Sequence, residues 1–437
     1  MTFAPPRKLF GLWSGVGLVI ANMVGIGVFL SFGFMAQSLP PGPLMLAWII
    51  GSVLALSGAY AYAEVARLVP RSGGEYRYLS ELLHPALGYL AGWASLLVGF
   101  SAPIAADALG AGVFLGTVIP STPTKAVAVG LVIALTAVHA LGLHLSARAQ
   151  NILVAVKVML VLGFVAVGLV AGTVAWPTWV PPTAIDGFPL SAMVGSLFFI
   201  AFAFSGWNAA VYASEEFENP GRTVPRAMLI GCSAVAVLYL VVNYIFAANL
   251  TPADGAIVFS KEPVTVGHAL MNRLLGSRAA SLMSLVIVLA FLSAMSAMIM
   301  IGPRVYAAMA TDGFLPRVFI GREGKPPTMS VLLQGAIALI LVFTQTLKDV
   351  LTNVGAILVL FAALTVLGLF PARLKGKDVK TSALIAAGVY CVSAVFMLWT
   401  GFHEKLPLLA GVAVVTAVGL VAWKLTRRVP IAVKVVP

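Results

Sequence analysis

The sequence predicts an all-α polytopic membrane protein with twelve transmembrane helices, on three observations. The first is composition: of 437 residues, 60% are hydrophobic and only 10% charged, at a mean hydropathy of +1.02, which suits a chain solvated mostly by lipid. The second is the recurrence of apolar runs of about 20 residues, the length a helix needs to cross the hydrocarbon layer. The third is the placement of Lys and Arg, which collect in alternate connections between those runs.

In chain order the runs lie near 11–36, 43–67, 86–118, 126–145, 149–173, 190–213, 226–249, 279–308, 328–346, 350–371, 382–400 and 406–424, each bounded by charge or proline. The first follows Arg7 and Lys8, as the apolar part of a signal peptide would. It runs on for about 25 residues without a small-x-small cleavage site, so it reads as a retained span. No separate soluble domain is visible. The segments 67–88 and 250–278 mix apolar and polar residues in a way that suits short helices lying over the two faces of the bundle.

With the N-terminus in the cytoplasm, basic residues on the inner side number 2 in the tail, then 3, 1, 2, 4 and 4 in successive loops, and 4 at the C-terminus. That makes 20 inside against 6 outside, with Lys157 inside a span, and the asymmetry places both termini in the cytoplasm, including the tail 425–437. The expected location is the plasma membrane. The net charge of +12 therefore reports orientation in a lipid bilayer, and no nucleic-acid partner is expected. Cys232 and Cys391 both lie in apolar runs, so neither a disulfide-linked accessory subunit nor a metal site is expected. No phosphate-cradling or zinc-binding motif is present and no cofactor is expected.

Two runs are interrupted by residues that form helices poorly. The first carries ANMVGIGVF at 21–29, and the sixth carries AFAFSGWNA at 201–209. The interruptions stand 180 residues apart, from Gly25 to Ser205, with five spans filling the interval. An odd number of spans per unit means that the second copy enters the membrane from the opposite side, the signature of an inverted repeat with a substrate site at the paired breaks. Gly and Ser in a span also serve close helix packing, and either motif alone reads equally well that way. A broken helix, however, leaves N–H groups free at the start of its second half and C=O groups at the end of its first. The former suit a carboxylate and the latter an ammonium group, so a zwitterionic amino acid satisfies both.

Three stretches carry a resemblance to a known family. AEVARLVPRSGGEYRYLSELLHPALGYLAGW at 63–93, GIGVF in the first span and FSGWNAAVYASEEFENPGRTVPRAM at 204–228, supported by GPRVYAAMATDGFLP at 302–316, resemble the amino acid-polyamine-organocation transporters. The similarity is greatest to bacterial relatives of the L-type amino-acid exchangers. The resemblance implies a LeuT-like fold of five plus five spans with two additional C-terminal ones: a single transmembrane domain over 1–424, divided into 11–173, 190–371 and 382–424. It implies that the α-carboxylate is bound by the N–H groups of Gly25, Ile26 and Gly27, and the α-amino group by the carbonyls of Met23, Phe202 and Ser205, beside Gly206. It also implies that Phe202 gates the substrate, and it sets Trp207 and Asn208 in the same motif. Ile26 departs from relatives that carry Ser, Ala or Thr between the glycines, which narrows the expected pocket.

Lys157 is one charge in the apolar NILVAVKVMLVLGF, where insertion costs about 2.5–3.5 kcal/mol. It stands about 13 Å along the helix from Arg148, too deep to snorkel easily. By the resemblance, Lys157 takes the place of a sodium ion in sodium-coupled relatives, which implies sodium independence. Asp107 is the second intramembrane charge. It lines the pocket, pairs with a cation on another helix or reaches a water-filled cavity; the sequence leaves these three open and makes it a candidate for specificity or proton relay. Ser293 and Ser296 in the eighth span neighbour Lys157 by analogy, although serine in a span more often serves ordinary helix packing. Glu64, Arg67, Glu215, Glu216, Glu218, Arg222 and Arg226 are placed to form ion pairs at the inner side, or to remain solvated there.

The function these features favour is sodium-independent exchange of small or neutral amino acids by alternating access. Proton symport and transport of a polyamine or organocation are the alternatives. A channel would need a continuous pore and a selectivity ring rather than paired breaks. An enzyme would need converging acids, bases or metal ligands at one depth, and only Lys157 and Asp107 qualify, so this reading ranks last.

Overall fold

A computed structural model describes residues 10–142, 147–181, 187–251, 265–321, 327–404, 416–417, 419–421 and 423. The named elements among the described residues are all helices, without a named strand. In order they form α1 (Leu12–Met23), α2 (Ile26–Ala36), α3 (Pro41–Leu68), α4 (Glu75–Leu82) and α5 (Pro85–Ala94), which continues through a π-helical segment (Ser95–Phe100) into α6 (Ser101–Gly116). There follow α7 (Thr124–Ala140), α8 (Ala147–Val170), α9 (Leu190–Ala203), a 3-10 segment (Ala209–Glu216) and α10 (Pro220–Asn249). The remainder are α11 (Val266–Leu275), α12 (Ser277–Thr311), α13 (Thr328–Thr344), α14 (Leu347–Leu367), α15 (Leu369–Leu374) and α16 (Thr381–Glu404).

Among the described residues, eight helical stretches are long and apolar enough to cross a membrane, and α7, α9 and α13 are shorter apolar helices. These coincide with the first eleven apolar runs. Most of the twelfth run, residues 252–264 and the tail 425–437 lie outside the described residues, while α11 is the short helix expected in 250–278. The sixth run is short for a physical reason: its helix stops at Ala203 and resumes at Ala209 in the tighter 3-10 form. Large apolar side chains face outward along several helices, among them Val156 and Met159 on α8, Phe343 on α13 and Trp399 on α16. In water so many exposed apolar groups would be a liability, and in lipid they are the solvated surface.

The interrupted segments pack on each other. Ser31 Oγ of α2 donates to Phe199 O of α9 at 3.4 Å, the rings of Phe34 and Phe199 stack at 5.7 Å, and Gly27 lies against Ala203. Numbers rise along α2 while they fall along α9, so the two halves run antiparallel. Beyond the other halves, the N–H of Phe10 donates to Glu216 O and the N–H of Glu218 donates to Phe10 O, both at 3.1 Å. These bonds tie the entry of the first segment to the exit of the sixth. The short helix expected in 67–88 is α4.

Candidate functional site

The first break is closed by side chains from three other helices. After α1 ends, Val24 and Gly25 are non-helical, and α2 begins at Ile26. A buried backbone group without a partner costs several kcal/mol in hydrocarbon, so each end of the break needs help. Lys157 Nζ of α8 donates to Ala21 O at 3.0 Å, and Tyr239 Oη of α10 donates to Met23 O at 2.6 Å. Across the gap, the Ile26 N–H donates to Asp107 Oδ1 of α6 at 3.1 Å. The charges follow the half-helix dipoles, with an ammonium at the negative end of α1 and a carboxylate at the positive end of α2. Lys157 is fully buried on a helix whose neighbouring Val156 is 40% exposed, so the lysine marks the inward face of α8.

The second break lies directly against the first. Gly206 has φ +98°, in the region that favours glycine, and a Cβ there would stand 2.7 Å from Asn22 Cβ and 2.8 Å from Asn22 C. A Cβ on Gly27 would stand 2.4 Å from Ala203 Cα. The glycines thus let two backbones meet where both are broken. Tyr239 Oη also lies 3.1 Å from Ala203 O, so one hydroxyl serves both breaks. Tyr239→Phe leaves Met23 O with only the Gly25 N–H at 2.9 Å and takes the donor from Ala203 O, at about 1–3 kcal/mol for a buried unsatisfied group. The expected result is about a tenfold fall in uptake by reconstituted protein, and an unchanged rate would deny the hydroxyl this role.

Two cavities adjoin the second break. One, of about 550 Å³, lies between Asn22, Ser95, Phe100, Ser205, Gly206 and Ile301. The other, of about 670 Å³, is bounded by Leu54, Ser205, Trp207, Leu358, Tyr390 and Met397. The π-helical turn supplies Ser95 and Phe100 to the first, a widening of the helix that often accompanies functional sites. Both cavities reach Glu75 of α4, which accepts Asn208 Nδ2 at 2.7 Å and Tyr212 Oη at 2.6 Å.

Burial pushes the Glu75 carboxyl above its ordinary value of 4.5, against hydrogen bonds led by Tyr212 that pull it down. A carboxyl raised in the fold holds more protons folded than unfolded. Its contribution is therefore fully present below the ordinary value and is lost as pH rises through the raised one. Glu75→Gln is expected to flatten the fall in thermal stability as pH rises above the ordinary carboxyl value, and an unaltered slope would contradict this.

Of the residues singled out by sequence, Met23, Gly25, Ile26, Gly27, Ser205, Gly206, Lys157 and Asp107 stand at or beside the two breaks. Phe202 is buried at the end of α9 and lines neither cavity, while its carbonyl accepts the Ser205 N–H at 2.8 Å. Trp207 packs its ring 5.7 Å from Tyr62 and 6.2 Å from Tyr390, and Asn208 holds Glu75. Ser296 Oγ bonds His139 of α7 at 3.0 Å, and fully buried Ser293 has no hydrogen-bond partner for its hydroxyl among the described residues.

The expected inner ion pairs are partly corrected. Glu64 and Arg67 pair within α3 at 2.9 Å, but Glu216 pairs at 2.8 Å with Arg304 of α12. Arg304 lies in the quoted stretch 302–316 and received no partner from sequence, because nothing local places α12 beside the exit of the sixth segment. Tyr239 and Glu75 were also missed. A tyrosine in an apolar run and a glutamate in a mixed apolar and polar segment give no signal of their own.

The chain matches the family model described as "Amino acid permease" over residues 10–424. It is 27% identical over 388 residues to the b(0,+)-type amino acid transporter 1 of Mus musculus, covering 86% of this chain and 78% of that protein. Identity to the Homo sapiens protein of the same name is 27% over 385 residues, with the same coverage of 86% and 78%. The large neutral amino acids transporter small subunit 2 of Homo sapiens is 26% identical over 389 residues, covering 85% of this chain and 71% of that protein.

Proposed function

The chain belongs to the amino acid permease family, and from that premise we propose that it is a sodium-independent secondary transporter exchanging small or neutral amino acids by alternating access. One observation carries the reading: two broken helices, antiparallel and in backbone contact, beside cavities that share Ser205 and Gly206. A half-helix start and a half-helix end at one place offer donors to a carboxylate and acceptors to an ammonium group. In this reading Gly25, Ile26 and Gly27 take the α-carboxylate, and the carbonyls of Met23, Phe202 and Ser205 take the α-amino group. Phe202 gates the site only if its ring swings into the cavity when substrate binds. The relative named large neutral amino acids transporter small subunit 2 supports a neutral substrate.

Sodium independence is supported by Lys157, whose ammonium supplies a positive charge to the Ala21 carbonyl at the end of α1. The twelve-span, five-plus-five arrangement, the plasma-membrane location and cytoplasmic termini belong to the same proposal, supported by the antiparallel breaks and by the 20 to 6 split of basic residues. One relative is named a small subunit. Cys232 is buried in α10 and Cys391 lies partly buried in α16, so the proposed transporter carries no disulfide-linked subunit.

The test is counterflow into proteoliposomes, with labelled amino acids outside and unlabelled ones inside. The expected result is uptake of at least one neutral amino acid that needs internal substrate and is equal in sodium and choline buffers. Uptake that requires sodium, or that ignores internal substrate, would overturn the mode. No uptake of any amino acid under a sodium or proton gradient would overturn the substrate class.

A further inference from the structure

The N-terminus of α2 is already occupied. Asp107 reaches it from α6, a contact between residues 81 apart in sequence, and its Oδ1 accepts the Ile26 N–H at 3.1 Å. The same oxygen lies 3.3 Å from where a Cβ on Gly25 would sit, so the glycine is what admits the carboxylate so closely. The side chain is 3% exposed, and no ion pair within 4.0 Å neutralises it among the described residues. Lys157 acts on it only across the break, with its ammonium on Ala21 O.

A half-helix offers its N-terminal donors and roughly half a positive charge to one anion. Two carboxylates in that seat would compete for the same N–H and repel each other. We infer that Asp107 is an internal competitor for the substrate carboxylate, so that an amino acid gains the Ile26 N–H only by displacing Asp107. The residue then determines specificity: it weakens binding of ligands that bring a carboxylate and leaves amines without one unopposed. This rests on the proposed reading of α2 as the carboxylate seat.

Equilibrium binding to the full chain in nanodiscs tests it, comparing native protein with Asp107→Ala and Asp107→Asn. The probes are labelled L-alanine, L-leucine and L-phenylalanine, and their decarboxylated counterparts ethylamine, 3-methylbutylamine and phenethylamine. Removing a charge-assisted hydrogen bond that competes with the ligand is expected to tighten binding of at least one amino acid about tenfold in Asp107→Ala, with no gain for the amines. Asp107→Asn keeps an acceptor without the charge and is expected to fall between. A gain in affinity is not a product of misfolding, and if Asp107→Ala does not fold, Asp107→Asn must show the gain.

Equal or weaker amino-acid binding in the variants, with native binding intact, would overturn the competitor role and leave the amino-acid reading standing. Binding by Asp107→Ala but not by native protein would support the competitor role and overturn amino-acid transport by the native chain. Failure of every folded form to bind any of the three amino acids would overturn both, because an emptied seat should accept a carboxylate.

Discussion

Replacing Lys157 with methionine, similar in length but uncharged, is expected to lower amino-acid exchange about ten- to a hundredfold, the equivalent of one charged hydrogen bond. The ammonium satisfies Ala21 O at 3.0 Å and places positive charge at the carbonyl end of α1, where water cannot substitute. Its loss also leaves Asp107 as a buried anion without a cation opposite, and such half-broken arrangements destabilise more than removal of both charges. The double variant Lys157→Met with Asp107→Asn is therefore expected to recover thermal stability but not exchange. Full exchange in Lys157→Met would remove the lysine from the mechanism, and a double variant less stable than the single would refute the electrostatic account.

Gly206→Ala is the second substitution of large expected effect. At φ +98° an L residue is strained by about 1–2 kcal/mol, and the new methyl would meet Asn22 Cβ at 2.7 Å and Asn22 O at 2.9 Å. Overpacking adds about 1–3 kcal/mol, and the collision is with the backbone of the other break, which has no rotamer to adopt. Exchange should fall at least about tenfold, with a loss of a few degrees in Tm. Gly195→Ala is the control. It lies in the interior of α9 with nothing within 4 Å of the added carbon, so it should be neutral or slightly stabilising. Equal behaviour of the two variants would mean that the contact between breaks is not what matters.

Much of this site was legible because its signals are local. A glycine pair in an apolar run marks a weak helix, and Lys157 stands out because one charge in hydrocarbon needs a reason. What the sequence could not supply is every relation across the bundle. Asp107 left three readings open until α6 was packed against the start of α2. Tyr239 gave no sign, since a tyrosine at a membrane helix position is unremarked until its hydroxyl is found within reach of Met23 O and Ala203 O. Glu75 gave no sign either, because hydropathy cannot tell that α4 folds inward to meet Asn208 and Tyr212. The tight 3-10 form after the second break was also hidden, since the same apolar residues serve either helix.

The claim that the meeting point of the two breaks is the substrate site is tested most directly at Ser205, which lines both cavities. With Cys232 and Cys391 replaced by serine, Ser205→Cys supplies one thiol at the break, and its rate of modification by a small thiol reagent can be followed in proteoliposomes. A transported amino acid at saturation is expected to slow modification at least severalfold, while an amino acid that is not transported leaves it unchanged. Modification at the same rate with and without a transported substrate would mean that the amino acid binds elsewhere.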